Sequence, residues 1–527
     1  MKYPLSLLTV FLIVFLLQSH EKKHEKYISH NLNTSPVQIS DTSLVDSFYI
    51  LNQNRNLWTG SHQRLNKNGN TFLEIIKNAR YYGLEPEYYG YHGLQKLSDQ
   101  LSETEDKEIR KPVAERIEKQ LSLIYFKMGK DLNYGRIDSV EAFTRLPRKE
   151  FKTDLLQYLQ KAVKKDSLME YLTGLQPSNP EYRKLQKALV QFLEHTELSD
   201  EKVKVDQFRT DSVKSYQQAR KALLLHNYIP DTEISDSLFL EALKNFQYDH
   251  GLSPDGIIGK YTAGALSKST FDFYQDAAAS MERWRWKTPW KKDFLFVNIP
   301  AFYLKYYLND SLQGVYRVVV GKRSRKTPEV NSKLNYLVAY PYWHVPKSIS
   351  VNEILVHAKE DPEYLKRNRY EVFTKRLEPV EPGQVKWDTV NSKNFNFYIR
   401  QKGGTSNALG LVKFIFKNRY SIYLHDTPTK RHFKKDIRAY SHGCVRVQNA
   451  LELADRVLRF DENVYNKDSI EVFVKRKIEK KIELNKEISV YIYYITCDTD
   501  AEGKLIFHYD VYNRDRELKK LLFRSPS

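Results

Sequence analysis

Cysteine is nearly absent. Cys444 and Cys497 are the two in 527 residues, which excludes a disulfide-stapled scaffold and leaves room for one bridge at most. Paired metal ligands are scarce too. Structural zinc wants four ligands in short paired spacings, and only His442-x-Cys444 has that look, with His425 and His432 further off, so no metal and no cofactor is expected. No repeat of fixed period occurs, and no arm of one charge: Lys and Arg are spread among Asp and Glu apart from short runs such as Lys475-Arg476-Lys477. One uncharged apolar run stands out, Pro4 to Gln18, after Lys2 and before Glu21-Lys22-Lys23. It has the length of an export-signal core and falls short of a ~20-residue membrane span. No clear small-residue cleavage site follows it, and no cysteine lies near its end to make a lipoprotein. Residues 1–20 are therefore expected to be a signal peptide or an N-terminal anchor.

What is present in quantity is positive charge and aromatic side chains. The formal net charge is +19, with 37 Tyr and 26 Phe. A surface of that charge attracts anionic polymers at long range, and nucleic acid, membrane and cell wall all qualify. Length points to three or so units at a soft ~150 residues per domain. Helical periodicity runs through about 47–204, as in Phe72-Leu73-Ile75-Ile76-Ala79, and again through about 213–266. After about Lys291 the texture changes to β-type runs at 294–299, 303–307, 315–320, 336–340 and 421–424. The fold class expected is multidomain, mainly α in the N-terminal half and mainly β in the C-terminal half.

The second helical block contains Phe246-Gln247, His250-Gly251-Leu252, Asp255-Gly256-Ile257-Ile258-Gly259 and Thr262 with Ala265-Leu266. A helix ending near Asp249, a Gly/Pro turn and a short closing helix are its physical logic. In these residues it resembles the three-helix peptidoglycan-binding module.

Chemistry concentrates further on. Ile422-Tyr423-Leu424-His425-Asp426-Thr427-Pro428 is followed, nineteen residues after His425, by Cys444 within Ser441-His442-Gly443-Cys444-Val445-Arg446-Val447. A thiol attacks as thiolate, and a histidine beside it can take the proton, giving an ion pair reactive near neutral pH. Gly443 permits a sharp turn that points backbone amides at a developing oxyanion. Asn449 with Glu452 looks like a capping box opening a helix through Ala450, Leu451, Ala454, Val457 and Leu458. That helix would set its positive end near Cys444 and lower the thiol pKa. Cys497, after the apolar run Val490 to Ile495, is expected to be a small core residue. A papain-like peptidase places its Cys first and its His far downstream, the reverse of the order here.

The stretch resembles the L,D-transpeptidase catalytic domain, also called YkuD-type, in its long form with a helical scaffold and a peptidoglycan-binding module ahead of it. Asn298-Ile299-Pro300, Lys326-Thr327-Pro328, Pro341-Tyr342-Trp343-His344-Val345-Pro346 and Asn407-Ala408-Leu409-Gly410 also match. The resemblance implies Cys444 as nucleophile and His425 as proton acceptor and donor. It implies Gly443, Ser441, His442 and Asp426 as oxyanion or supporting residues, and Arg446, Tyr423 and Asn407 as substrate-binding. Lys402-Gly403-Gly404 and Tyr340 depart from the family's pattern. The expected layout is a scaffold at 45–205, the peptidoglycan-binding domain at 210–268, the catalytic domain at 291–476 with a capping insert at 346–395 that contains α-helix, and a C-terminal β extension at 477–527. Implied partners are donor and acceptor peptidoglycan stems, not nucleic acid. Implied activity is a thioester with a tetrapeptide stem and transfer to an amine in a 3→3 cross-link, with carboxypeptidase, exchange or a non-catalytic wall-binding role as alternatives. The resemblance further implies an exported, periplasmic or envelope-bound protein of cell-wall biogenesis and cell shape, inhibited by carbapenem-type β-lactams.

Overall fold

In a computed structural model the chain is described over residues 42–138, 140–146, 154–361 and 363–524. The apolar run at 4–18 lies outside these, and among the described residues no helix is long and apolar enough to cross a membrane.

The N-terminal half is helical, as its periodicity requires. The scaffold helices include Lys67–Lys77, Tyr91–Glu103, Lys107–Tyr134 and Pro180–His195. Asn66, Asp106 and Asn179 cap three of them by accepting backbone N–H bonds in the first turn. Trp58, Phe72 and Tyr125 lie ring on ring in the scaffold core. Helices Ser212–Leu225, Asp236–Asp249 and Lys260–Leu266 make the second block. There Gln247 is buried, donating to Asp255 Oδ1 and accepting from Gly256 N, so the Phe-Gln and Asp-Gly residues belong to one turn.

A helix that the periodicity did not suggest, Thr270–Arg285, runs through the middle of the molecule, opened by a capping box of Ser269 and Asp272. Thirteen of its side chains are buried, among them Glu282, Arg283 and Arg285. Arg283 pairs with Asp515 at 2.8 Å, and Glu282 accepts from Ile137 N at 2.9 Å. Burial of such charges is tolerable only with partners, and these partners come from both ends of the chain.

The C-terminal half contains β1 (Phe294–Asn298), β2 (Tyr303–Leu308), β3 (Ser311–Gly321), β4 (Val330–Ala339), β5 (Trp343–His344), β6 (Tyr370–Thr374), β7 (Pro379–Val380) and β8 (Phe397–Gln401). It continues with β9 (Val412–Phe416), β10 (Leu424–His425), β11 (Ala439–Ser441), β12 (Val445–Val447), β13 (Lys480–Glu483), β14 (Ser489–Tyr493), β15 (Cys497–Thr499) and β16 (Leu505–Phe507). The large sheet runs β11-β3-β12-β10-β9-β4-β14-β1-β2. Because β3 pairs with β2 along its first part and with β12 and β11 along its last, the path closes on itself around a hydrophobic core.

The C-terminal segment is woven into the fold: β14 lies between β4 and β1, β13 pairs with β4, and after β16 comes the helix Asp515–Leu522. The insert contains helix as expected and strand besides: β5, β8, β6 and β7, which reach beyond 346–395 on both sides, form a second sheet around a core of Ile354, Leu365, Trp387 and Ile399. Its helical stretch breaks at Asp361, ahead of Pro362, into short pieces.

Candidate active site

The site grows from two short parallel strands. In the β10–β12 pair Leu424 faces Val445 and His425 faces Arg446. Leu424 and Val445 are both fully buried in the core, so alternation sends their neighbours Tyr423, His425, Cys444 and Arg446 to the opposite face. Val445 N donates to Tyr423 O at 3.1 Å, which sets Tyr423 beside Cys444. Residues nineteen apart in sequence thereby share one face.

Cys444 is half-buried beside Tyr423. Burial pushes the thiol up to about 11, against the pull of the Tyr423 backbone and hydroxyl and of the Arg446 charge. The expected lowering of the thiol is therefore not met. The helix Ala450–Phe460 does follow, but β12 intervenes, and Asn449 sits at φ +53° with no side-chain cap bond, so the capping box does not form. Cys497 is fully buried in β15, and burial raises its thiol well above the ordinary value.

His425 is buried, with Nδ1 2.5 Å from the carbonyl oxygen of Asp426. Nδ1 must carry hydrogen to donate there, which leaves Nε2 as the acceptor. Burial first, then the neighbouring Arg446 charge, push its pKa down to about 3, so the ring is neutral at neutral pH. Arg446 is half-buried; its Nη1 is 3.4 Å from His432 Nδ1, its Nε is buried without a partner, and no carboxylate pairs with it among the described residues. His432 in turn stacks on Tyr440.

The turn before Cys444 is tied down. Ser441 Oγ donates to Cys444 O at 2.5 Å and accepts from Gly443 N at 3.1 Å. Gly443 has φ +121°, a conformation side-chain-bearing residues rarely adopt. Its N–H, expected to face an oxyanion, is engaged by Ser441; the Cys444 N–H has no partner among the described residues.

Three further expected residues do other work. Asn407 is fully buried and spends its side chain on its own loop, donating to Gln401 O and Lys402 O and accepting from Leu409 N at 2.7 Å. The Asp426 carboxylate accepts from Leu411 N at 3.0 Å and pairs with Lys430; only its backbone carbonyl meets His425. His442 reaches out to Glu353 of the insert, Nε2 to Oε1 2.5 Å.

Comparison with known proteins now bears on this geometry. Residues 292–474 match the YkuD family, described as L,D-transpeptidase catalytic domain. Residues 43–189 match a scaffold domain, and 209–266 a family described as "Putative peptidoglycan binding domain". The chain carries a YkuD-type L,D-transpeptidase catalytic domain. A Haemophilus influenzae protein named "Putative L,D-transpeptidase" is 33% identical over 224 residues, 42% of this chain and 45% of that protein, so the match spans less than half of that relative. The crystal structure of an L,D-transpeptidase from Stackebrandtia nassauensis aligns over 56% of this chain and 95% of its own at 14% identity, with a TM-score of 0.20, too low to bear on the fold.

Within the L,D-transpeptidase domain, sequence reasoning missed three contributors. Thr327 Oγ1 donates to Gly443 O, and the Tyr512 hydroxyl accepts from Thr327 N at 3.0 Å and donates to Gly321 O at 2.7 Å. Glu353 holds His442. Thr327 lay inside a matching tripeptide, yet nothing in the sequence named its partner. The two departures from the family pattern prove to be neighbours: a Cβ on Gly403 would stand 2.7 Å from the Tyr340 ring, so the glycine is what admits the tyrosine.

Proposed function

We propose that the chain is a peptidoglycan L,D-transpeptidase in which Cys444 is the nucleophile and His425 the general base. The observation that carries this is the shared face of β10 and β12, with a thiol, a neutral imidazole with a free Nε2, and a carboxylate-free guanidinium side by side. A resting thiol held near 11 and an imidazole held near 3 form a neutral pair, not a preformed ion pair. The thiol proton therefore passes to Nε2 as sulfur attacks. The S–C bond forms at the carbonyl between the third stem residue and terminal D-Ala, the C–N bond breaks, and the proton on Nε2 goes to the leaving D-Ala amine. An amine of a second stem then displaces sulfur, giving a 3→3 cross-link and returning the proton to Cys444 through His425. The Cys444 N–H supports the oxyanion, and Arg446 binds a stem carboxylate. Tyr423 holds the sulfur, Ser441 and Gly443 shape its turn, and the 346–395 region caps the cleft. The protein acts outside the cytoplasm on the cell wall, where the peptidoglycan-binding domain supplies local concentration.

The test is muropeptide mass spectrometry of peptidoglycan incubated with the chain and with Cys444→Ala. Cross-linked products from the first and none from the second are expected; equal products from both would remove Cys444 from its role.

A further inference from the structure

Two loops rise beside the Cys444 turn from adjacent strands. The first, 322–326, leaves β3 and carries Lys or Arg at four of its five positions. The second leads into β11 and holds Arg431, Lys434 and Lys435. β3 and β11 are parallel neighbours, with Gly321 opposite Ser441. Lys322 N donates to Ser441 O at 2.9 Å, and Arg325 O and Lys326 O lie 4.0 and 3.9 Å from where a Cβ of Gly443 would stand. The first loop thus lies against the nucleophile's own turn.

Arg323, Lys326, Arg431, Lys434 and Lys435 are exposed, Arg325 is half-buried, and none of the six has an ion-pair partner among the described residues. The acidic residue of the second loop, Asp436, is engaged by Ser253 N at 3.0 Å. The charge is felt locally. Lys326 is held below its ordinary value by burial and then by Arg514 and Arg323, and His432 by burial and then by Arg446, Arg431 and Lys435. Unpaired Arg446 continues the positive charge from this rim to the face that carries Cys444.

We infer that the two loops form a cationic rim that recognises a peptide by its free carboxylates, so that the site prefers acidic stem peptides to the same peptides with their carboxylates amidated. This rests on the transpeptidase reading for the identity of the peptide as a stem. A peptide is favoured over a membrane surface because the first loop lies against the turn that carries Cys444, the proposed nucleophile, where a ligand must present a carbonyl. Exposed ion pairs are individually weak, and several acting together amount to about tenfold in affinity.

The experiment uses the full chain as Cys444→Ser, with a fluorescent tetrapeptide stem in free-acid and amidated forms. The free acid should bind about tenfold more tightly, and the preference should shrink as salt rises from about 0.02 to about 0.3 M, where screening acts within a few ångströms. The paired reversals Arg323→Glu with Lys326→Glu, and Lys434→Glu with Lys435→Glu, should erase most of it at unchanged melting temperature. The salt series answers independently of any folding defect in those variants. Equal binding of both forms, or a preference indifferent to salt and to both reversals, overturns the inference. Binding to phosphatidylglycerol vesicles that the reversals abolish, with the peptide preference untouched, overturns it in favour of a lipid surface. If the wild-type chain makes no cross-links while the salt-sensitive preference persists, the transfer reaction fails and the rim stands; cross-linking without the preference is the converse.

Discussion

Thr327 Oγ1 lies 2.8 Å from the carbonyl oxygen of Gly443 and accepts from Gly321 N, also at 2.8 Å, so one buried hydroxyl ties the turn before Cys444 to the end of β3. Thr327→Val keeps the shape and strands both backbone groups, a loss of about 1–3 kcal/mol for each buried group left unpaired. Acylation of Cys444 should slow by about tenfold or more, Thr327→Ser should restore it, and Tyr512→Phe should slow it in the same direction. Acylation rate set against melting temperature checks this: a rate that falls only in proportion to unfolding would make Thr327 merely structural.

A carbapenem should leave one adduct on Cys444 and none on Cys497. The second thiol is fully buried and raised well above its ordinary value, so it offers neither access nor thiolate. Intact mass followed by peptide mapping decides, and an adduct on Cys497 in folded protein would contradict the site.

Acid should destabilise the protein through His425. Its folded pKa, about 3, is below the unfolded value of about 6.5. Between those two the unfolded chain takes up a proton that the folded chain refuses, so stability falls as pH drops from about 6.5 toward 3. His250, buried against Phe246 and also near 3, acts in the same direction. From pH 7 to 5 each contributes about 2 kcal/mol of loss. Urea midpoints of His425→Gln should therefore shift less over that range than those of the wild type, and an identical shift would mean that the imidazole is not buried neutral.

Gly443→Ala meets no clash, since the added Cβ would make only ordinary contacts, the nearest at 3.8 Å to the Ile422 side chain. Its cost is the φ of +121° alone, about 1–3 kcal/mol. The turn should relax, lowering the reaction of Cys444 with stem peptide more than its alkylation by a small neutral reagent. Equal loss of both would indicate general unfolding.

Deleting 210–268 should do more than weaken wall attachment. Ala222, Leu243, Phe246 and Leu266 share a core with Phe273 and Trp284 of the central helix and with Phe296 and Phe507 of the β half. Removal exposes that surface, and the melting transition should fall by many degrees. A deleted chain that melts like the full one would show the block to be separable.

How far the sequence could be read depended on distance along the chain. His425 and Cys444 were legible because one strand end and one turn carry them with their glycine and serine attached. Glu353 meets His442 across 89 positions, Thr327 meets Gly443 across 116, and Tyr512 meets Gly321 across 191. No periodicity links residues so far apart. Arg446 was legible beside Cys444. The loop bonds of Asn407 were not legible, because a polar side chain near a site looks the same in sequence whether it faces a ligand or its own loop.

The amino-acid sequence by itself determined the α-then-β division, the Gly-rich turn of the second block, and the nomination of Cys444 and His425 as the proposed nucleophile and base, since these depend on local periodicity, turn chemistry and residue type. Tertiary structure decided the rest. The helix Thr270–Arg285 was hidden because Glu282, Arg283 and Arg285 read as solvent-facing until Asp515 and Ile137 arrive from elsewhere to pair with them. The β14 strand became central only when β1 and β4 closed on both its edges. The protonation of the site was decided last, because burial outweighs nearby hydrogen bonds and charge at the sulfur: a thiol expected to be lowered is raised to about 11, beside an imidazole lowered to about 3.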